Sequence, residues 1–268
     1  MSAREVYTHG PAFDASLTRR TAAQDGAFFL PHLRAGLRLL DCGCGPGSIT
    51  LGLAQAVAPG SAVGIDPEER QIVAALALAA QQGVANVIFE VASVYDLPFP
   101  EAAFDAVFAN NVLWHLRDSL AALREMRRVL RRGGVIGIRD AEVGAEVLTP
   151  LTPRLARWQD LWLRVLAHNG GSPLYARHQR RLLLEAGFHR SEAHPSIRGG
   201  GTLELTRDHA QHLRSRLEGP NGWDTAIPQG WVTRDEVDEL YAELLAWGER
   251  PDACFVLPYY AAVGWVDD

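Results

Sequence analysis

The chain has 268 residues, and its 26 basic side chains against 32 acidic ones leave a formal net charge of −6 with histidine neutral, which argues against a polyanion-binding surface and so against nucleic acid as a partner. With 47% apolar and 22% charged residues it falls in the globular range, which excludes disordered and collagen-like classes and suits one large α/β domain. The longest apolar run, residues 72–80, is far shorter than the roughly 17 to 25 residues of a membrane-spanning helix, and no apolar signal core follows Arg4 and Glu5, so a soluble cytoplasmic protein with no membrane partner is expected.

In chain order, residues 14–34 carry helical character through Ala22, Ala27, Phe28, Leu30 and Leu33, interrupted at Pro31, and residues 1–34 are expected to form an N-terminal flank or lid. From Leu37 onward short apolar runs alternate with amphipathic stretches. Residues 37–40, 62–65, 87–91, 104–109 and 135–138 read as buried parallel strands with helices between them. Such alternation predicts an α/β fold of the Rossmann-like, doubly wound kind, with right-handed crossovers and a ligand site outside the carboxyl ends of the strands.

The rhythm then breaks. Leu155, Trp158, Leu161, Trp162, Val165 and Leu166 form a helical stripe where the next strand is due, so residues 141–170 read as an insertion. Residues 177–186 predict a helix stopped by Gly187, followed by a strand near 188–197. A second helical excursion fills about residues 202–250; its last helix opens on the capping box Thr233 to Glu236 and stops at Gly248 and Pro251. The final strand spans 254–266, with Pro258 marking an edge or a bulge. No linker divides the chain, so residues 1–268 are expected to form a single domain with helical cap insertions at 141–170 and 202–250.

The residue inventory narrows the chemistry. Every basic residue is arginine, since lysine is absent, and this removes Schiff-base, P-loop-lysine and lysine-base reactions. General-base work falls to His, Asp, Glu or Tyr. Cys42, Cys44 and Cys254 make an odd count that suits a reducing compartment, and no Cys/His pair at zinc spacing follows the Cys-x-Cys pair, so no metal site is expected.

The run Asp41-Cys42-Gly43-Cys44-Gly45-Pro46-Gly47-Ser48 sets a G-x-G-x-G turn between the first strand and a helix. A dinucleotide site would want glycine where Ser48 stands, which disfavours nicotinamide oxidoreduction. The glycines instead allow close backbone approach to a ligand, and Asp41 supplies a carboxylate suited to an ammonium, directly or through water. Asp66 ends the second strand, where a carboxylate can accept from both hydroxyls of a ribose. Ala92-Ser93-Val94-Tyr95-Asp96 follows the third strand and Asn110-Asn111-Val112-Leu113-Trp114-His115 the fourth, so four successive strand ends carry candidate residues.

On these residues the chain resembles the class I S-adenosylmethionine-dependent methyltransferases, closest to the ubiquinone/menaquinone-biosynthesis type of small-molecule enzyme. Residues 39–134 carry the resemblance most specifically, including Leu97-Pro98-Phe99-Pro100, Phe104-Asp105-Ala106-Val107 and Arg128-Val129-Leu130-Arg131-Arg132-Gly133-Gly134. Tyr7-Thr8-His9-Gly10, Gly230-Trp231-Val232-Thr233 and Leu257-Pro258-Tyr259-Tyr260 match more loosely. The resemblance implies a seven-stranded sheet and S-adenosyl-L-methionine as cofactor. It implies that Asp41, Gly43, Cys44, Gly45 and Gly47 hold the methionine part, Asp66 with Pro67 the ribose, Ser93 and Val94 the adenine edge, and Asn110 the region beside the sulfonium, with Tyr7 adding a contact from the flank. Many relatives have an acidic residue where Ser93 stands, so the adenine amino group is left to the Ser93 hydroxyl, to Asp96, or to neither.

His115 is the candidate catalytic base toward an acceptor hydroxyl or amine; the bland alternative is a histidine that packs its loop. The cluster Arg124, Arg127, Arg128, Arg131 and Arg132 falls at helical spacing and reads as a solvated helix face. Trp158, Trp162, Trp223, Trp231 and Trp247 fall in or beside the two excursions and read as an aromatic cap around a flat or lipophilic acceptor, against the alternative of plain core. The expected activity is methyl transfer to an O, N or C nucleophile of a small, aromatic or lipophilic molecule. Two alternatives stand beside it: an enzyme that binds the cofactor without consuming it and promotes a cyclisation or rearrangement, and a non-catalytic adaptor. The expected partner is a small-molecule acceptor, and a homodimer is left open.

Overall fold

The computed structural model describes residues 17–267. Parallel strands β1 (Arg38–Cys42), β2 (Ser61–Asp66), β3 (Val87–Val91), β4 (Phe104–Asn110) and β5 (Leu130–Ala141) coincide with the five apolar runs; β1, β2, β4 and the second half of β5 are buried on both faces because helices cover both, whereas the edge strand β3 leaves Ile88 and Val91 exposed. Antiparallel strands β6 (Val147–Thr149), β7 (Arg190–Gly200) and β8 (Cys254–Trp265) complete one sheet in the order β3-β2-β1-β4-β5-β8, with β7 paired along the outer side of β8. The short β6 pairs with β8 on the same side as β5, continuing its line after a break. The sheet therefore has seven strand positions, and the order reverses between β1 and β4, where a doubly wound sheet opens its ligand crevice.

The helices are α1 (Ala22–Asp25), α2 (Ser48–Val57), α3 (Glu69–Gln82), α4 (Ser119–Val129), α5 (Pro153–His168), α6 (Gln179–Glu185), α7 (Leu203–Arg216), α8 (Trp223–Ala226) and α9 (Arg234–Gly248). No helix of the described residues is long and apolar enough to cross a membrane. Thr233 caps α9 by accepting from Glu236 N, as its capping box predicts, and Thr152 caps α5 in the same way by accepting from Leu155 N. The flank departs from the expected longer helix. Among the described residues it forms the four-residue α1 and a turn of 3₁₀ helix at Leu30–His32, because Gly26 ends the first and Pro31 fits only at the start of the second. Phe29 then plugs into the sheet. A Cβ at Gly137 would stand 2.3 Å from the Phe29 ring, so glycine on β5 makes room for it.

The first excursion opens with the sheet strand β6 and only then turns helical, and the helices of the two excursions pack on one another, α9 against α5 and α7, and α8 against α5. Their apolar faces run into the main core on one side of the sheet. Pro258 corrects an expectation, since β8 lies inside the sheet with unbroken register against β7. The carbonyl of Pro258 accepts from Glu142 N at 2.9 Å, so its missing donor faces the same side, in the gap between the end of β5 and the start of β6. The arginine cluster is structural where it has partners: on α4, Arg128 donates to the carbonyls of Leu97 and Phe99 and to Glu125, and Arg127 to Gly187 O, while Arg131, in the first residues of β5, pairs with Asp105.

Candidate active site

The carboxyl ends of β1, β2, β4 and β5 border one cavity, closed on its other side by the flank and the cap helices. The glycine turn forms its floor. Gly43 N and Cys44 N both donate to Ile65 O, at 2.8 and 2.9 Å, which ties the turn to β2. Gly43 has φ +72° and a Cβ there would lie 2.4 Å from Val112 Cγ2, so glycine lets the β4 loop approach. Gly45, at φ +53°, has only Leu17 Cδ1 at 3.8 Å and Gln71 Oε1 at 4.0 Å near its missing Cβ, so that position opens into the cavity. Gly47 starts α2 against Phe89 and Ala75 and does not border the cavity. Ser48, where a dinucleotide site would have glycine, donates to Leu17 O at 3.0 Å and fastens the flank to the turn.

Two buried carboxylates face this floor. Asp66 accepts from Gly45 N and Glu68 N, one on each oxygen, both at 3.0 Å. Each oxygen keeps a lone pair for a ligand. Asp41 is 2% exposed and accepts from Thr50 Oγ1 at 2.6 Å. Burial pushes Asp41 up to about 7 against the pull of Thr50, with Asp66 adding repulsion, and pushes Asp66 up to about 6 against its two backbone donors. A buried, weakly compensated pair of acids suits a ligand bringing positive charge and hydroxyl donors. A group with a sulfonium, an ammonium and a ribose diol meets both requirements, so the donor set fits S-adenosylmethionine.

The opposite half of the cavity is aromatic and positively charged. Its loop after β4 is held from beneath by Asp140, fully buried, which accepts from Gln179 Nε2 at 2.7 Å and faces the backbone amides of Val112, Leu113 and Trp114. Burial raises Asp140 to about 7 and those donors hold it down. Asn111 sits at φ +56°, its side chain accepting from Ala141 N at 3.1 Å. Asn110 Oδ1 accepts from Arg139 Nη1 at 3.3 Å; the same nitrogen pairs with Asp25 at 3.0 Å, and the guanidinium lies 3.8 Å from the Tyr259 ring centre. His115 ends a 3₁₀ turn with its ring centre 3.7 Å from that of Trp114, and Trp114 meets Trp162 edge-on at 6.1 Å.

Of the residues expected from sequence, the cavity thus gathers Asp41, Gly43, Cys44, Gly45, Asp66, Pro67, Asn110 and His115. Ser93 and Val94 do not border it: Ser93 is exposed with Oγ accepting from Tyr95 N, and Val94 is packed in the core. Their loop nonetheless starts beside the site, since Ala92 N donates to Asp66 O at 3.2 Å. Asp96 is exposed and bridges to Ser93. Tyr7 lies outside the described residues. The tryptophan cap is narrower than expected. Trp158, Trp223 and Trp247 are core, Trp231 packs against Arg164 and His168, and only Trp162 of the five borders the cavity, joined by Trp114. Tyr259, from the loosely matching stretch at 257–260, also borders it, as do Arg20, His212 and Arg216, which no local motif marks.

A methyltransferase domain family matches residues 33–189, more than half of the chain. The chain belongs to this family. It is 29% identical over 265 residues to the probable methyltransferase ltbC of Aspergillus luteorubrus, covering 92% of this chain and 91% of that protein. It is 40% identical over 140 residues to the 27-O-demethylrifamycin SV methyltransferase of Amycolatopsis mediterranei, covering 51% of each. Among solved structures, YcgJ from Bacillus subtilis superposes with a TM-score of 0.61 at 19% identity, over 92% of this chain and 99% of that one, which shows the shared fold. The protein is an S-adenosylmethionine-dependent methyltransferase, with a class I Rossmann-like architecture.

The two raised carboxyls give the enzyme a testable pH signature. Without ligand, Asp66 and Asp41 take up protons as pH falls through about 6 and about 7, whereas a bound cation and diol favour their ionised forms. Cofactor affinity should therefore rise with pH, by at most about tenfold per unit for each group, and level off above about pH 8. Calorimetry near neutrality in two buffers of different ionisation enthalpy should register protons released on binding; equal heats and a flat affinity profile would contradict this electrostatic account.

Proposed function

We propose that the enzyme moves a methyl group onto a nucleophilic atom of a small, flat organic molecule held in the aromatic half of the cavity. The observation that carries this reading is that one continuous cavity has the glycine turn with Asp41 and Asp66 on one wall and Trp114, His115, Trp162 and Tyr259 on the other. Bound S-adenosylmethionine supplies an already activated methyl group, so the protein's share of the catalysis is placement and exclusion of water.

In this reading the Asp66 carboxylate accepts from the ribose hydroxyls beside Pro67, and the adenine end extends toward the loop of Ser93 and Val94. Asp41 and the backbone of Gly43, Cys44 and Gly45 receive the amino-acid end, with Gly47 fixing the turn to α2. Arg20, which borders the same cavity near Asp25 and Arg139, supplies the cation for the carboxylate of that end. Asn110 stands at the end of β4 between the two halves, beside the reacting centre. His115 takes the proton from an acceptor hydroxyl that is not already ionised.

The test is incubation with methyl-labelled cofactor and a panel of phenolic, quinone-like and amine acceptors. Labelled product supports the proposal. An unlabelled rearranged product would replace it with cofactor-assisted rearrangement, and tight cofactor binding with no product from any class would replace it with a binding role.

A further inference from the structure

The acceptor half of the cavity contains hydrogen-bond donors and no available carboxylate among the described residues. Arg216 reaches it from the last turn of α7, with its side chain 4% exposed. Behind it Glu146, 2% exposed, takes Arg216 Nη1 at 2.5 Å and Nη2 at 3.1 Å, with His209 Nε2 also 3.1 Å away. That network uses up Glu146 and fixes the guanidinium plane, yet a fork occupies only two of the five guanidinium N–H groups. Trp114 and Trp162, 6% and 3% exposed, border the same space.

The guanidinium N–H groups that Glu146 leaves over are unfavourable there unless something accepts from them. An ammonium cannot, and would also lose its water beside a guanidinium. An oxygen with free lone pairs can. The rings of Trp114, Trp162 and Tyr259 add flat apolar walls, so the matching molecule is an aromatic one with an oxygen acceptor on its rim.

We propose, resting on the methyl-transfer reading above, that the acceptor is a hydroxylated aromatic carrying a carboxylate or ketone oxygen, which seats on the guanidinium of Arg216 between the rings of Trp114 and Trp162 while its hydroxyl faces His115. Arg216 is thereby a specificity-determining residue, held in place by Glu146. Amines and plain alkylphenols lack the accepting oxygen and are selected against.

The test measures binding to the enzyme loaded with S-adenosylhomocysteine, so it does not depend on turnover. Calorimetry with salicylate, hydroxyacetophenone, ethylphenol and tyramine should show the first two binding at least about tenfold tighter than the last two. The paired change Arg216→Met with Glu146→Gln avoids stranding a charge and should abolish the preference. Ethylphenol or tyramine binding as tightly as the oxygen-bearing ligands, or no measurable binding by any of the four, would overturn the inference. Binding in the expected order without transfer of labelled methyl would instead leave it standing and overturn the methyl-transfer reading.

Discussion

Asp66→Ala is expected to weaken S-adenosylmethionine binding by roughly two to four powers of ten. A hydrogen bond to a charged acceptor contributes about 1.5 to 3 kcal/mol, and the side chain has two oxygens facing the site, so about 3 to 6 kcal/mol is at stake before water compensates. Part of the loss is indirect, because the same carboxylate fixes Gly45 N and Glu68 N. Asp66→Asn keeps one oxygen for one of the two backbone donors and sets an N–H group against the other, so affinity and the unfolding midpoint should both fall, each by less than in Asp66→Ala. Calorimetric titration checks both variants, and unchanged affinity in Asp66→Ala would remove the ribose from this end of the cavity.

His115→Ala should leave cofactor affinity intact and slow methylation of a protonated phenol by about 10² to 10⁴ fold, the usual contribution of a positioned general base. The sign of its pH dependence is distinctive. As pH approaches the acceptor's own pKa the phenolate no longer needs a base, so the variant's rate should recover toward that of the wild type. A variant that loses rate equally at all pH values would mark His115 as packing for the loop that Asp140 supports. Near-normal turnover throughout would remove it from the mechanism and leave placement alone.

The floor of the site is legible in the sequence because each of its parts is local. A glycine turn after an apolar run, and acids or amides just beyond successive runs, become neighbours once parallel strands are set side by side, and β1, β2 and β4 do this in register, with Leu40 beside Val63 and Val107. The acceptor half is not local. Arg216 meets Glu146 seventy positions earlier in the chain, and Gln179 meets Asp140 thirty-nine positions earlier. Helical periodicity marks both as ordinary members of amphipathic stretches and cannot say which face turns inward over the sheet.

The tryptophans show the same limit. Trp158 and Trp162 lie one turn apart on one face of α5, yet the first is sealed in the core and the second borders the cavity, a difference set by where the helix crosses the sheet edge. Asp140 could have been noticed as an acid ending an apolar strand, but its partners are backbone amides of another loop, which no side-chain pattern announces. Gly26 and Pro31 did carry a readable signal: together they outweigh the apolar spacing and limit residues 22–32 to short turns.

A crystal structure with S-adenosylhomocysteine tests the central claim most directly. The ribose hydroxyls should lie within hydrogen-bonding distance of the Asp66 carboxylate, the amino-acid end should rest on the turn between Gly43 and Gly45 near Arg20, and the sulfur should face the space between His115, Trp162 and Arg216. A ligand whose ribose avoids Asp66, or whose sulfur faces away from that aromatic space, would contradict the account.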